Sequence, residues 1–268
     1  MTSRSRITSR QNPRVKDAAL LRTSRARQRQ GQFLIDGVRE ISRAIASGVR
    51  CVEAFVCDEL CVTPECRNVV QALESTVAEI FSVPPSVYEK LAFGEREVGV
   101  VVVAETPKRR LQDLELPPTP LVAVLDGIEK PGNLGAILRS ADAAGVDAIV
   151  AADVRTDLYN PNTIRASLGT VFGKNVCEAT AGDTIAWVNE RGLAIVAARP
   201  DASQLYTEAD MRGPAVIVLG SEAAGLGSVW SGENVTAVRI PMHGLADSLN
   251  VSTTAAVLFY EALRQRQS

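Results

Sequence analysis

The sequence predicts an α/β protein in two parts: a smaller N-terminal unit, and a C-terminal unit built on a parallel sheet. Three observations carry this reading. Apolar β-branched runs alternate with helical segments on both sides of a proline-rich stretch. The run LVAVLD at residues 121–126 is continuously apolar, as in a strand buried on both faces of a parallel sheet. Three segments of the C-terminal half, residues 125–145, 217–227 and 240–261, each lead from a strand into a polar or glycine-rich loop. Loops of that kind place a ligand site at the carboxyl edge of the sheet.

Taken in order, residues 13–30 read as a basic helix or arm. Residues 33–47, FLIDGVREISRAIAS, read as a helix with Ile41, Ala44 and Ile45 at helical spacing. A strand at 52–56 follows, then a helix opened by Pro64 and running to 75. A strand at 77–83, a helix at 85–93 and a strand at 98–104 complete the first unit. Residues 106–120, TPKRRLQDLELPPTP, carry four prolines and read as a linker. The second alternation has strands at 121–126, 147–152, 193–198, 215–219 and 235–240, with helices at 133–144, 161–168 and 183–191. The last helix, 248–266, carries Val251, Ala255, Leu258, Phe259, Ala262 and Leu263 on a 3.6-residue stripe. The expected organisation is an arm at 1–30, a domain at 31–105, a linker at 106–120 and a second domain at 121–268.

Composition narrows the class. The 268 residues are 46% hydrophobic and 22% charged, which is ordinary for a soluble protein. No apolar run reaches the roughly 18 residues of a membrane span, so neither a membrane segment nor a membrane partner is expected. The start of the chain shows no apolar stretch of a secretory signal, and a cytoplasmic location is expected. The five cysteines, Cys51, Cys57, Cys61, Cys66 and Cys177, are expected as reduced thiols. Five, three and four residues separate the first four, a spacing that does not match paired zinc ligands, so no metal is expected. Net charge is −2, but residues 1–30 hold nine cations and one acid, while the remaining 238 hold 20 cations and 30 acids. Arginine supplies eight of those nine cations, and a basic end on an acidic body fits a polyanionic partner.

The possible chemistry is limited by a single histidine, His243, which any Ser-His-Asp or Cys-His mechanism would have to use. The glycine-rich segment 220–227 has Leu226 and Gly227 where a phosphate loop needs Lys and Ser or Thr, which disfavours a nucleoside triphosphate. The dinucleotide fingerprint is absent. What remains is a glycine turn that lets backbone approach a ligand, with Glu222 either capping that turn or acting in the site. Asn133 is a candidate N-cap. Arg139, on a helix otherwise rich in Ala, Ile and Leu, is either a surface arginine or a group that holds a phosphate bidentately. Ser248 and Asn250 stand at the mouth of the last helix, where small polar ligands bind.

The three segments occur together and in one order. NLGAILRSADAAG, LGSEAAGLG and IPMHGLADSLNVSTTAAVLFYE resemble the signature motifs of the SpoU/TrmH family of RNA ribose 2′-O-methyltransferases, within the SPOUT superfamily. The resemblance covers residues 121–268 strongly and 30–105 more weakly. The latter look like the ribosomal-protein-L30e-like α/β substrate-binding domain of many members; GEREVGVVVVAE departs from that domain's commoner proline-glutamine-glycine ending.

The resemblance implies a C-terminal trefoil-knot methyltransferase domain, a homodimer packed through it, and S-adenosylmethionine held in the knot loops. It implies cofactor contacts at Leu219, Gly220, Gly225, Ile240, Met242, Leu249 and Asn250. It gives catalytic roles to Asn133, Arg139, Glu222, Ser248 and Asn250, with Glu222 ordering its loop and pairing with Arg139. Arg22, Arg25, Arg27 and Arg29, with Arg39 beyond them, are the expected RNA contacts. The expected activity is methyl transfer to a ribose 2′-hydroxyl, with 23S rRNA ahead of tRNA as substrate. A non-catalytic RNA-binding module is the reading from another class.

Overall fold

The computed structural model describes residues 4–93, 98–173 and 175–267. In chain order, the first part forms β1 (Ser5–Arg6), α1 (Pro13–Leu20), α2 (Ser24–Gln30), β2 (Gln32–Asp36), α3 (Val38–Ala46), β3 (Cys51–Val56), α4 (Pro64–Thr76), β4 (Glu79–Ser82), α5 (Pro85–Leu91) and β5 (Val100–Glu105). The rest forms β6 (Leu121–Asp126), α6 (Pro131–Ala144), β7 (Ala148–Ala152), α7 (Pro161–Ala166), β8 (Val176–Ala179), α8 (Ala181–Glu190), β9 (Ala194–Ala198), β10 (Gln204–Leu205), β11 (Ala215–Gly220), β12 (Val235–Arg239) and α9 (Val251–Arg266). By contacts the chain divides into two units, Met1–Pro107 with Tyr159–Phe172, and Lys108–Leu158 with Gly173–Ser268. Among the described residues no helix is long and apolar enough to cross a membrane.

The first unit is built on a mixed sheet in the order β1-β4-β3-β5-β2. β5 runs antiparallel to both β2 and β3, while β3, β4 and β1 are parallel. Residues 33–36 are therefore strand and not helix. Phe33 and Ile35 are fully buried and Leu34 nearly so, and a short run buried on both faces has no period that separates strand from helix. Gly37, at φ +121°, turns the chain from β2 into α3. Gly94–Glu97, the start of the segment that departs from the family ending, lies outside the described residues.

The basic N-terminus is not a free arm. Ser5 and Arg6 pair with Phe81 and Ser82, and Ile7, Val15, Ala18 and Leu21 share one core with Phe55, Val87, Tyr88 and Val101. Arg4 is paired with Asp58 and Glu74, and Arg14 with Glu53 and Glu79. Two of the nine cations are thus ion-paired within the unit. α1 and α2 are two separate helices, capped by Asn12 and Thr23, and α2 ends on left-handed Gly31.

Residues 159–172 also fold with this unit, a correction to a continuous domain at 121–268. The Phe33 ring stacks on Tyr159 at 4.7 Å and on Phe172 at 5.9 Å, and Arg165 pairs with Asp36 at 3.2 Å. Cys61 and Cys66 form a disulfide, where reduced thiols were expected, while Cys51, Cys57 and Cys177 are free and buried.

The second unit carries a sheet in the order β10-β12-β9-β11-β6-β7-β8, with every pair of neighbours parallel. β8 and β10 had no clear signal in the sequence, being short and partly polar. The proline-rich stretch is only in part a linker, because Leu111 and Leu114 are buried in this unit's core with Val122, Trp187 and Trp230. α6 packs against α9, and α9 also packs against β11. In β11 and β6 Gly220 lies beside Asp126, so the chain leaves both strands at one edge.

Candidate active site

The carboxyl ends of β12, β9 and β11 lie side by side, and the chain that leaves each of them surrounds one cavity of about 640 Å³. That volume lies within the usual range for small-molecule sites, roughly 300–1,000 Å³. Leu219, Gly220, Gly225 and Glu222 enter the lining from β11 and its loop, and Ile240 and Met242 from the chain after β12. Ser248, Leu249 and Asn250 enter at the start of α9. All the positions expected to contact a cofactor are thus brought to one place.

The turn after β11 explains its glycines. Ser221 Oγ accepts from the Ala224 N–H at 3.0 Å, and the Gly225 N–H donates to the Ser221 carbonyl at 3.0 Å. The chain doubles back so tightly that a Cβ on Gly220 would lie 2.4 Å from the Gly225 carbonyl carbon. Gly225 takes φ +66°, a left-handed value that favours glycine. The far end of the turn is tied down by Asp126, whose Oδ2 accepts from the Gly227 N–H at 3.2 Å. Asp126 is buried, and burial raises its carboxyl above the usual range, opposed by that hydrogen bond.

A polar network runs beside the cavity. Pro131 opens α6 with Lys130 as its N-cap, so Asn133 sits inside the first turn and does not cap it. The Asn133 amide nitrogen instead donates to Glu222, whose other oxygen lies 3.8 Å from Lys130 Nζ. The Asn250 amide donates to Asn133 Oδ1 at 3.4 Å. Asn250 is also the N-cap of α9, accepting from the Ser252 N–H at 2.9 Å, so that helix starts at Val251 rather than at Ser248.

Arg139 stands apart from this network. It lies on α6, six residues past Asn133, which is about 9 Å along the axis and about 120° around it. Its side chain is exposed, lines no part of the cavity and makes no ion pair or hydrogen bond with the described residues. Glu222 is therefore paired with Lys130 and Asn133, not with Arg139.

The expected RNA contacts separate into two groups. Arg25, Arg29 and Arg39 are exposed. Arg27 is only 4% exposed and donates to the Leu21 and Arg22 carbonyls, both at 2.9 Å. It fastens α2 to the end of α1 and is not available to RNA. Arg22 donates to the Ala92 carbonyl, and burial lowers its pKa.

Sequence reasoning missed the β9 side of the cavity, where Ala198, Arg199 and Pro200 join Arg239 and Asp247 in the lining. Strand order was the missing information. Once β9 lies between β11 and β12, its exit loop must share their edge.

With this geometry in view, comparison with known proteins is informative. Residues 120–260 match the model of the SpoU rRNA Methylase family, and residues 12–101 match that of an MRM3-like substrate binding domain. The chain is 32% identical over 269 residues to a 23S rRNA (uridine(2479)-2′-O)-methyltransferase of Streptomyces viridochromogenes, covering 98% of this chain and 93% of that one. Its fold is similar to a crystal structure of an RNA 2′-O ribose methyltransferase, with a TM-score of 0.84, 43% identity, and coverage of 98% of this chain and all of the other. An S-adenosylmethionine-bound rRNA methyltransferase from Sinorhizobium meliloti superposes with a TM-score of 0.89 at 28% identity, covering 98% and 99% of the two chains.

Proposed function

This chain belongs to the SpoU rRNA methylase family, and on that premise we propose that it transfers a methyl group to a ribose 2′-hydroxyl of 23S rRNA. It is an S-adenosylmethionine-dependent RNA (ribose-2′-O)-methyltransferase with an N-terminal substrate-binding domain. One observation carries the assignment. Three loops distant in sequence meet around one cavity, beside the Asn133–Glu222–Asn250 network.

The cavity fits the cofactor in size and chemistry. Leu219, Ile240, Met242, Leu249 and Leu258 offer an apolar slot for adenine. The backbone N–H groups of Ile240, Met242 and Leu249 make no hydrogen bond to described residues, so they are free to receive the cofactor's polar edge. When bound, S-adenosylmethionine supplies a methyl group activated by its sulfonium.

The residues of this chain supply position and charge. The Asn133 side chain fixes the first turn of α6 against Glu222 and the N-cap of α9, so that the loops around the reacting centre share one geometry. Ser248, in the lining, offers a hydroxyl to the ribose. Arg139 holds an RNA phosphate bidentately, which aligns the 2′-oxygen and offsets the charge that grows on it. Gly220 and Gly225 shape the turn under the cofactor.

The reading extends to assembly and place. The C-terminal unit carries the trefoil knot, and two copies pack through it as a homodimer; family likeness supports this, together with Tyr260, half exposed on α9. The protein works in the cytoplasm, and on rRNA rather than tRNA; the name of the Streptomyces relative supports the choice of RNA. Mapping ribose methylation by mass in cells with and without the protein tests the substrate. Loss of one 2′-O-methyl group from 23S rRNA is expected; loss from tRNA alone would overturn the rRNA assignment.

A further inference from the structure

The β9–β12 edge of the cavity holds two arginines that neither the motifs nor the polar network account for. Val238 pairs with Ala198 in the parallel register, and the Arg199 N–H donates to the Val238 carbonyl at 2.9 Å. That bond belongs to the last registered pair, and Arg199 and Arg239 are the next residues along the two neighbouring chains. Neighbouring strands lie about 4.8 Å apart, and residues in register share a face. Two cations so placed repel one another unless an anion lies between them. Arg199 is steadied by Ser231 Oγ at 2.7 Å, whereas Arg239 has no ion pair or hydrogen bond with the described residues. Both are half-buried and both line the cavity. Of the cavity's carboxylates, Glu222 is already taken by Asn133 and Lys130, and Asp247 is exposed on the loop before α9.

We infer that Arg239, backed by Arg199, is the subsite for the carboxylate of S-adenosylmethionine's methionine moiety. The inference rests on the cavity being the cofactor site. A half-buried guanidinium without a partner calls for an anion, and an arginine matches a carboxylate with two parallel hydrogen bonds. The cofactor carries one such group. Position agrees with this. In the strand order β12-β9-β11-β6, Arg239 ends β12 and Arg199 follows β9, so both lie across β11 from Asn133, which follows β6. The pair would thus anchor the cofactor's tail without touching the methyl group.

The test compares binding of S-adenosylmethionine with that of its decarboxylated analogue, by calorimetry on the full chain, for wild type, Arg239→Gln and Arg239→Lys. Wild type should prefer the carboxylate-bearing ligand by about ten- to a hundredfold, the range for a hydrogen-bonded charge. Arg239→Gln should lose that preference by binding S-adenosylmethionine more weakly and the analogue unchanged, and Arg239→Lys should recover part of it. Equal loss for both ligands would make Arg239 a structural residue and overturn the inference. Unchanged S-adenosylmethionine affinity with a raised KM for RNA would reassign the anion to an RNA phosphate and overturn it as well. A folded wild-type protein that binds neither ligand would overturn the cofactor site itself, an outcome distinct from the other two.

Discussion

The Asn250 side-chain amide donates to Asn133 Oδ1 at 3.4 Å, joining residues 117 apart in sequence. The bond ties the cap of α9 to the first turn of α6. Because the Asn133 amide also donates to Glu222, one asparagine connects the loops that follow β6, β11 and β12. Asn133→Ala and Asn250→Ala should therefore each lower kcat, and the double variant should lose less than the sum of the two losses. Groups in one hydrogen-bonded network couple by about 0.5–3 kcal/mol. Single-turnover methyl transfer on RNA for the four proteins measures the coupling, and strict additivity would mean that the contact carries no functional weight.

Arg139→Ala should abolish methyl transfer while the affinity for S-adenosylmethionine stays at the wild-type value. The two effects separate because Arg139 lines no part of the cavity and has no partner among the described residues whose loss would disturb it. Calorimetry beside a labelled-methyl transfer assay gives both readouts. Near-normal turnover would remove Arg139 from the mechanism.

The sequence was most legible where a motif and a buried strand coincide. LVAVLD and the glycine turn fall in the structure where their residue types demand, because glycine geometry and continuous burial are local properties, whereas α9 begins three residues later than its polar entry suggests because Asn250 caps it. Partners set by chain path were not legible. Asn133 looks like a cap from its neighbours, yet Pro131 starts the helix two residues earlier and frees the side chain for Glu222. Arg199 and Arg239 are 40 residues apart and become neighbours only through the order of β9 and β12. The run of arginines before residue 30 suggests a solvated arm, but apolar residues threaded among them, Ile7, Val15 and Leu21, seal a core.

Asp126 gives a prediction with a definite sign in pH. Its carboxyl is raised chiefly by burial, so the fold favours the protonated form. A carboxyl raised on folding contributes stability that is present below its unfolded pKa and is lost as pH rises through the folded one. At neutral pH the buried charge therefore costs stability. Asp126→Asn keeps an oxygen to accept from Gly227 and removes that charge, so its Tm should exceed wild type at pH 7, with the gap closing as pH falls through the carboxylate range. A variant less stable than wild type at pH 7 would show that the ionic hydrogen bond to Gly227 outweighs desolvation.

The exposed arginines of α2 should set RNA affinity, whereas the buried one should set stability. Deleting residues 1–30 would not separate these roles, because it removes Ile7, Val15 and Leu21 from the core, each contributing about 1.5–3 kcal/mol on burial. Point substitutions do. Arg25→Gln with Arg29→Gln should leave Tm unchanged and weaken RNA binding. If both side chains meet phosphates, the slope of log affinity against log salt should flatten by about 1.4–1.8, since each contact contributes roughly 0.7–0.9. Arg27→Gln should instead lower stability by about 1–3 kcal/mol, because it strands the Leu21 and Arg22 carbonyls that the guanidinium satisfies. Its salt slope should match wild type. RNA affinity at two salt concentrations, with thermal melts of all three proteins, decides the matter: an unchanged slope in the Arg25/Arg29 variant would move the RNA-binding surface away from α2.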